Sequence, residues 1–274
     1  MLDSHQHFWK VERSDYGWLT PELGSIYRDF LPGDLTREMR RAGITRTILV
    51  QAAETEAETD FLLEIARETD FVAGVVGWID MEAEDFAARL ARTRQNPKFV
   101  GLRPMLQGLD DDAYILRPKV LDSLKAVADS GLTFDILTFT RHLPHVVAAL
   151  KTVPGLKAVV DHISKPEIAT GTLDPWRGHM EEIAAFANVS CKVSGMVTEA
   201  SANWQVEDFR PYVDHVARCF GPDRLMFGSD WPVCTLAASY AEVANLARTL
   251  LSSHFGPEDL HGIFEKNAAR FYGV

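Results

Sequence analysis

Along the chain, short runs rich in β-branched and apolar residues alternate with longer segments whose apolar positions recur every three to four residues. Eight runs read as strands: Leu2–His7, Thr47–Ala52, Val72–Ile79, Phe99–Met105, Thr133–Leu137, Lys157–His162, Val189–Ser194 and Leu225–Asp230. Between them lies the period of an amphipathic helix. Asp60–Arg67 puts Phe61, Leu62, Ile65 and Ala66 on one stripe, and the pattern returns over Phe86–Leu90, Val120–Ala128, Val146–Leu150, Met180–Phe186, Phe209–Phe220 and Tyr240–Leu251. Gly43, Gly131, Gly155 and Gly221 stand at helix-to-strand junctions, where a left-handed cap is wanted, and Pro154 and Pro222 help to stop two of the helices. Eight strands, each followed by a helix, predict a (β/α)8 barrel formed as one domain by residues 1–274, with Pro257–Tyr272 as a closing helix. The competing arrangement is an open doubly wound sheet. The count of eight and the lack of a GxGxxG turn after any strand argue against it.

One connection is unusually long. Residues Phe8 to Gly33 separate the first strand from its helix and carry Trp9, Tyr16, Trp18, Tyr27 and Phe30. A loop of that length in a compact domain is usually functional or disordered, and so many aromatics argue against disorder. It is expected to wall or cover a pocket at the C-terminal face of the barrel. The formal charge of −11 disfavours nucleic acid and anionic membrane surfaces as partners. No apolar run approaches the ~20 residues of a membrane span, and Asp3 and His5 interrupt the N-terminus where a signal peptide would be apolar. Cys191, Cys219 and Cys234 are odd in number and widely spaced, as reduced thiols of a cytoplasmic protein would be.

The chemistry gathers at the strand ends. His5 and His7, two residues apart, leave the same face of the first strand, and Asp230 stands where the last strand ends. If the sheet closes, first and last strands are neighbours, and these groups share one cup with His162 from the sixth strand. Imidazoles with a carboxylate suit zinc or a similar ion. They also serve without metal, Asp230 taking a proton from water while the imidazoles polarise a carbonyl.

Five segments carry a family resemblance: Asp3-Ser4-His5-Gln6-His7-Phe8-Trp9, Asp161-His162-Ile163-Ser164-Lys165-Pro166, Cys191-Lys192-Val193-Ser194-Gly195, Phe227-Gly228-Ser229-Asp230-Trp231-Pro232 and Asn267-Ala268-Ala269-Arg270-Phe271-Tyr272. Together they resemble the amidohydrolase superfamily, in its branch of sugar-lactone hydrolases and 2-pyrone-4,6-dicarboxylate lactonases. The resemblance spans the chain and implies a distorted (β/α)8 barrel that hydrolyses a cyclic ester or a related bond. It also implies histidines on strands five and six in metal-dependent members. Strand five here reads Leu132-Thr133-Phe134-Asp135-Ile136-Leu137 with no histidine, and His142 and His145 follow too late to share an ion. On this reading no cofactor is obligatory, and the alternative is one zinc ion on His5, His7, His162 and Asp230.

Strand alternation places Asp161 and His162 on opposite faces, so Asp161 is expected to be structural. Arg103, at the end of strand four, is a candidate to bind a lactone carbonyl or product carboxylate. Gln51 and Trp78 end strands two and three, Trp9 opens the long loop, and Lys165 follows His162; these four are the remaining substrate-binding candidates. Lys192 lies in an apolar strand and points either into the barrel or outward to a carboxylate partner. The expected function is opening of a small sugar lactone, such as L-fucono- or L-rhamnono-lactone, with Asp230 as base and His5, His7 and His162 as electrophilic groups. The rival readings are a metal-dependent decarboxylase or amide hydrolase, and a non-catalytic carbohydrate-binding barrel. Nothing in the pattern settles the oligomeric state.

Overall fold

The structure, a computed structural model, describes residues 1–274. Eight strands form one parallel sheet in sequential order: β1 (Leu2–Gln6), β2 (Arg46–Val50), β3 (Val72–Gly77), β4 (Phe99–Leu102), β5 (Thr133–Ile136), β6 (Ala158–Val160), β7 (Val189–Val193) and β8 (Leu225–Phe227). The helices α1 (Pro32–Ala42), α2 (Glu56–Glu68), α3 (Phe86–Thr93), α4 (Pro118–Ser130), α5 (Leu143–Thr152), α6 (Trp176–Ala184), α7 (Val206–Phe220) and α8 (Tyr240–Leu251) follow the strands in turn. This is the (β/α)8 barrel that the alternating pattern predicts. No helix is long and apolar enough to cross a membrane.

The sheet closes through polar groups more than through a full ladder. Gln6 bridges Trp231 in parallel, the His7 amide donates to the Trp231 carbonyl at 2.7 Å, and the Asp230 amide donates to the His5 carbonyl at 2.8 Å. Beneath them Asp3 acts as a pin. Its carboxylate accepts from the backbone N–H of His5 (3.0 Å) and Ser229 (2.8 Å) and from the Tyr240 hydroxyl (2.9 Å). Burial pushes Asp3 up to about 6 against the pull of those bonds.

The lower interior is packed by Leu2, Ile48, Val50, Val76, Val100, Val159 and Met226. The closing segment is not one helix. It runs as α9 (Pro257–His261), a π turn over Gly262–Lys266, and α10 (Asn267–Tyr272), and α10 plugs this end of the barrel with Ala268, Phe271 and Tyr272.

Two local expectations fail. Gly43 and Gly131 take the left-handed cap, and Gly221 has a positive φ with extended ψ, but Gly155 has no positive φ. There α5 ends at Thr152 and the Val153 carbonyl accepts from Leu156 N–H in a turn. Several strands also stop short of the predicted ends. The ladder gives out at Gly77, Leu102, Val160 and Phe227, so that Arg103, His162 and Asp230 lie just past it, on backbone free to leave the pleat.

Candidate active site

His5 and His7 stand side by side, as the i, i+2 spacing requires, with their Nε2 atoms 3.2 Å apart. Asp230 Oδ1 lies 3.3 Å from His7 Nε2, 3.9 Å from His5 Nε2 and 3.7 Å from His162 Nε2. Groups from both ends of the chain therefore converge on one carboxylate oxygen. The approach depends on Gly228, where a Cβ would come within 2.7 Å of His5 Cβ. Asp230 itself has φ 58°, a left-handed conformation that costs a non-glycine residue of order 1–3 kcal/mol and recurs at functional sites.

The sixth strand departs furthest from its predicted form. His162, Ile163, Ser164 and Lys165 all have positive φ. The expectation that Asp161 and His162 face opposite ways is therefore overturned, because alternation holds only for extended backbone. Asp161 Oδ1 lies 3.4 Å from His5 Nδ1, and His162 Nδ1 lies 2.9 Å from the Ser194 hydroxyl. Gly195, at φ +59°, leaves room for that ring, since a Cβ would sit 2.4 Å from His162 Nδ1.

Under the imidazoles lies a plate of buried charges. Lys192 points into the barrel and is wholly buried. Its Nζ pairs with Asp135 Oδ2, lies 2.9 Å from Asp161 Oδ1 and donates to His5 Nδ1 at 3.1 Å. The Tyr272 hydroxyl, carried up by α10, donates to Asp135 at 2.9 Å. Arg103 Nη1 lies 3.4 Å from both Asp161 Oδ2 and His5 Nε2. The guanidinium is clasped by Gln51: Nη2 donates to the Gln51 carbonyl, and Gln51 Nε2 donates back to the Arg103 carbonyl.

These neighbours set the charges. Burial, with Lys192 next in weight, pulls His5 well below the ordinary histidine value, and burial pulls His7 and His162 down as well. Each shift favours the neutral ring. Burial pushes Asp230 up, but His162, His7 and Lys165 outweigh it and hold the carboxyl below its usual value. Burial likewise pushes Asp161 up, and Lys192 and Arg103 more than reverse it. Burial prevails at Asp135, which rises to about 6.

Above the imidazoles opens a cavity of about 140 Å³. His7, Arg103, His162, Lys165 and Asp230 supply its polar lining with Gln107, and Trp18, Ala52, Met105, Leu137 and Val233 supply the apolar side. Trp18 is the contribution of the long loop and is anchored by its indole N–H on the Ala52 carbonyl at 2.7 Å. Of the other candidates, Lys165 reaches the cavity and pairs with Glu199 at 3.4 Å. Trp9, Trp78 and Gln51 do not line it, and His5, wholly buried, lies behind its wall. Trp9 is buried within the loop, donating to the Arg28 carbonyl at 2.7 Å and packing edge-on against Trp18. The backbone of Trp78 bonds to Thr59, and Gln51 acts on Arg103. A wider hollow of about 480 Å³, beside Met1, Arg248 and Phe264, has a single histidine and no carboxylate.

Sequence reasoning missed Asp135, Tyr272, Glu199 and the inward face of Asp161. A signal existed for Lys192: Ser190, Lys192 and Ser194 alternate with Val189, Cys191 and Val193, so the polar set shares one face, and two of its members meet the histidines.

The donor set also fits zinc. Bonds of ~2.0–2.1 Å in a tetrahedral shell put ligand atoms ~3.3 Å apart, close to the 3.2 and 3.3 Å found about His7 Nε2. His7 Nδ1–H donates to the Val50 carbonyl at 2.8 Å, the usual support for a metal-binding imidazole. Asp161 Oδ1 lies 3.4 Å behind His5 Nδ1, where a carboxylate supports a metal-binding imidazole.

A parallel barrel with His-x-His on its first strand and an aspartate after its last defines an amidohydrolase. The amidohydrolase family model matches residues 2–274, and the chain belongs to that family. It is 41% identical to an L-fucono-1,5-lactonase of Burkholderia ambifaria, covering all of this chain and 95% of that protein. It is 37% identical to an L-fucono-1,5-lactonase of Burkholderia multivorans, covering all of this chain and 96% of that one. Among solved structures, a zinc-bound amidohydrolase from Burkholderia multivorans superposes with a TM-score of 0.94 at 38% identity, covering 100% of this chain and 99% of its own.

Proposed function

We propose that the protein hydrolyses a small sugar lactone of the L-fucono-1,5-lactone kind. The observation that carries this reading is the convergence of Asp230 with His7 and His162 at the floor of a small, partly apolar cavity, with His5 directly behind them. The two Burkholderia lactonases support it from outside. Trp18, Met105, Leu137 and Val233 offer the surface that the C–H face or methyl group of a deoxy sugar needs, while Arg103 and Gln107 offer hydrogen bonds to its oxygens.

Asp230, ionised, takes a proton from a water molecule as that water attacks the carbonyl carbon. Arg103 and an imidazole N–H draw charge from the carbonyl oxygen as it becomes an oxyanion. The intermediate collapses, the ring C–O bond breaks, and the proton held by Asp230 passes to the departing ring oxygen. The product is an open-chain hydroxy acid. Zinc, when bound, would be held by His5, His7 and Asp230 with His162 alongside, and would supply Lewis acidity at the carbonyl. Hydrolysis releases an acid, so a panel of aldonolactones read with a pH indicator, with and without chelator, tests the reading. Rates no higher than the uncatalysed blank on every lactone would overturn it.

A further inference from the structure

Two side chains of the cavity hang from consecutive peptide groups just past the end of β2. The Gln51 amide makes the last bond to the sheet, donating to the Val76 carbonyl at 2.8 Å. In the next peptide group, which joins Gln51 to Ala52, the carbonyl accepts from Arg103 Nη2. In the one after, which joins Ala52 to Ala53, the carbonyl accepts from the Trp18 indole N–H at 2.7 Å. Arg103 lines the polar side of the cavity and Trp18 the apolar side. A planar trans peptide points its C=O and its N–H in opposite directions, so whatever grips one end aims the other.

The N–H ends of both groups go to one side chain. Glu58, in the first turn of α2, is wholly buried. Its Oε1 accepts from the Ala52 amide at 2.9 Å, and its Oε2 accepts from the Ala52 amide at 3.1 Å and the Ala53 amide at 2.9 Å. Burying a carboxyl is costly unless it is hydrogen-bonded, and here its bonds go to these two peptide groups. Glu58 is fixed in turn. Its own amide donates to Thr55 Oγ1, the cap of α2, at 3.0 Å. The Thr55 hydroxyl donates to Asp15 Oδ2 at 2.9 Å, in the same long loop that carries Trp18.

We propose that Glu58 is a positioning residue for the cavity: it holds two consecutive peptide groups by their N–H ends and, through their carbonyls, sets Arg103 and Trp18 at the place where substrate binds. That the two side chains meet a lactone rests on the proposed function. Their placement by Glu58 does not, and it is measured without substrate.

The test pairs Glu58→Leu, which removes both acceptors, with Glu58→Gln, which keeps one acceptor where Oε2 lies within reach of both amides. Full-length protein labelled with fluorotryptophan reports on Trp18 by fluorine NMR, the signals being assigned by their loss in Trp18→Phe, Trp176→Phe and Trp204→Phe. In Glu58→Leu the Trp18 signal should shift while those of Trp176, on α6, and Trp204, just before α7, stay in place. Glu58→Gln should return the Trp18 signal towards its parent position. A Trp18 signal unmoved by Glu58→Leu, or moved together with the other two, overturns the proposal. Should Glu58→Leu not fold, Glu58→Asp draws the carboxyl back by one bond and carries the same expectation. On a lactone that the parent hydrolyses, Glu58→Leu should raise KM roughly tenfold, with a smaller fall in kcat. In the Trp18→Ala background the same substitution should raise KM by roughly threefold or less, because one of its two targets is already gone. An equal factor in both backgrounds overturns the link to Trp18. Failure of the parent on every lactone would overturn only the proposed function, and the fluorine signals would still decide the role of Glu58.

Discussion

The rim of the cup and the plate beneath it are built from the same kinds of group and behave differently. At the rim, Asp230 and His162 face a cavity that admits a small molecule. In the plate, Lys192, Asp135 and Asp161 have no exposure at all and answer to each other, to Tyr272, to His5 and to Arg103. A carboxylate with access can exchange a proton with water, whereas one without access can only hold its neighbours in place. Ionisable groups in a barrel mouth are thus best sorted by what they can reach, and residue type is a poor guide.

The largest effect should separate the two layers at once. Asp230→Asn should lower kcat by roughly 10³-fold with an unchanged circular dichroism spectrum and midpoint of urea unfolding. Near-normal turnover would remove the rim from the chemistry. The plate should fail the other way. Lys192→Met leaves the buried Asp135 without its cation and Asp161 with Arg103 alone, and should cost about 3–5 kcal/mol in urea unfolding, and adding Asp135→Asn should recover part of that. A Lys192 variant as stable as the parent would mean that the plate is wetter than its burial implies.

The barrel was legible in the pattern because eight apolar runs with helical spacers leave few alternatives, and His5, His7 and Asp230 were legible because β1 keeps its alternation and β8 ends beside it. Alternation failed at Asp161 and His162, since the backbone leaves the extended form after Asp161, and the four consecutive left-handed residues from His162 to Lys165 bring His162 to the same side as Asp161. Tyr272 and Asp135 meet only because α10 plugs the barrel from below, a tertiary event with no local trace. Trp9 and Trp18 are two aromatics of one loop, and only the hydrogen bond to Ala52 distinguishes the one that reaches the cavity.

Smaller effects sharpen the contrast. Trp18→Ala should raise KM several-fold with a lesser change in kcat, because Trp18 shapes the cavity without touching Asp230 in the proposed reaction. Steady-state kinetics on the best lactone would show it. Glu58 supplies a buried carboxyl with no cation. It accepts from the Ala52 and Ala53 amides, and burial pushes it up to about 8, whereas Asp161 beside Lys192 goes down. A raised folded-state value means that its contribution is complete below the unfolded value and is lost as pH rises through about 8. Glu58→Gln should therefore gain stability relative to the parent as pH climbs from 5 to about 8 and level off above it, read from thermal midpoints. A pH-independent difference would show that Glu58 is charged in the fold.

The Asp3 pin has a consequence for biosynthesis. It joins the opening strand to Ser229 and Tyr240, and Asp230, the carboxylate that His5 and His7 face, comes from the same late stretch of chain. While residues from Leu225 onward are still inside the ribosome, β1 lacks its second neighbour and the histidines lack their carboxylate. A nascent chain can build most of its helical shell and still be inert until Asp230 has joined His5 and His7.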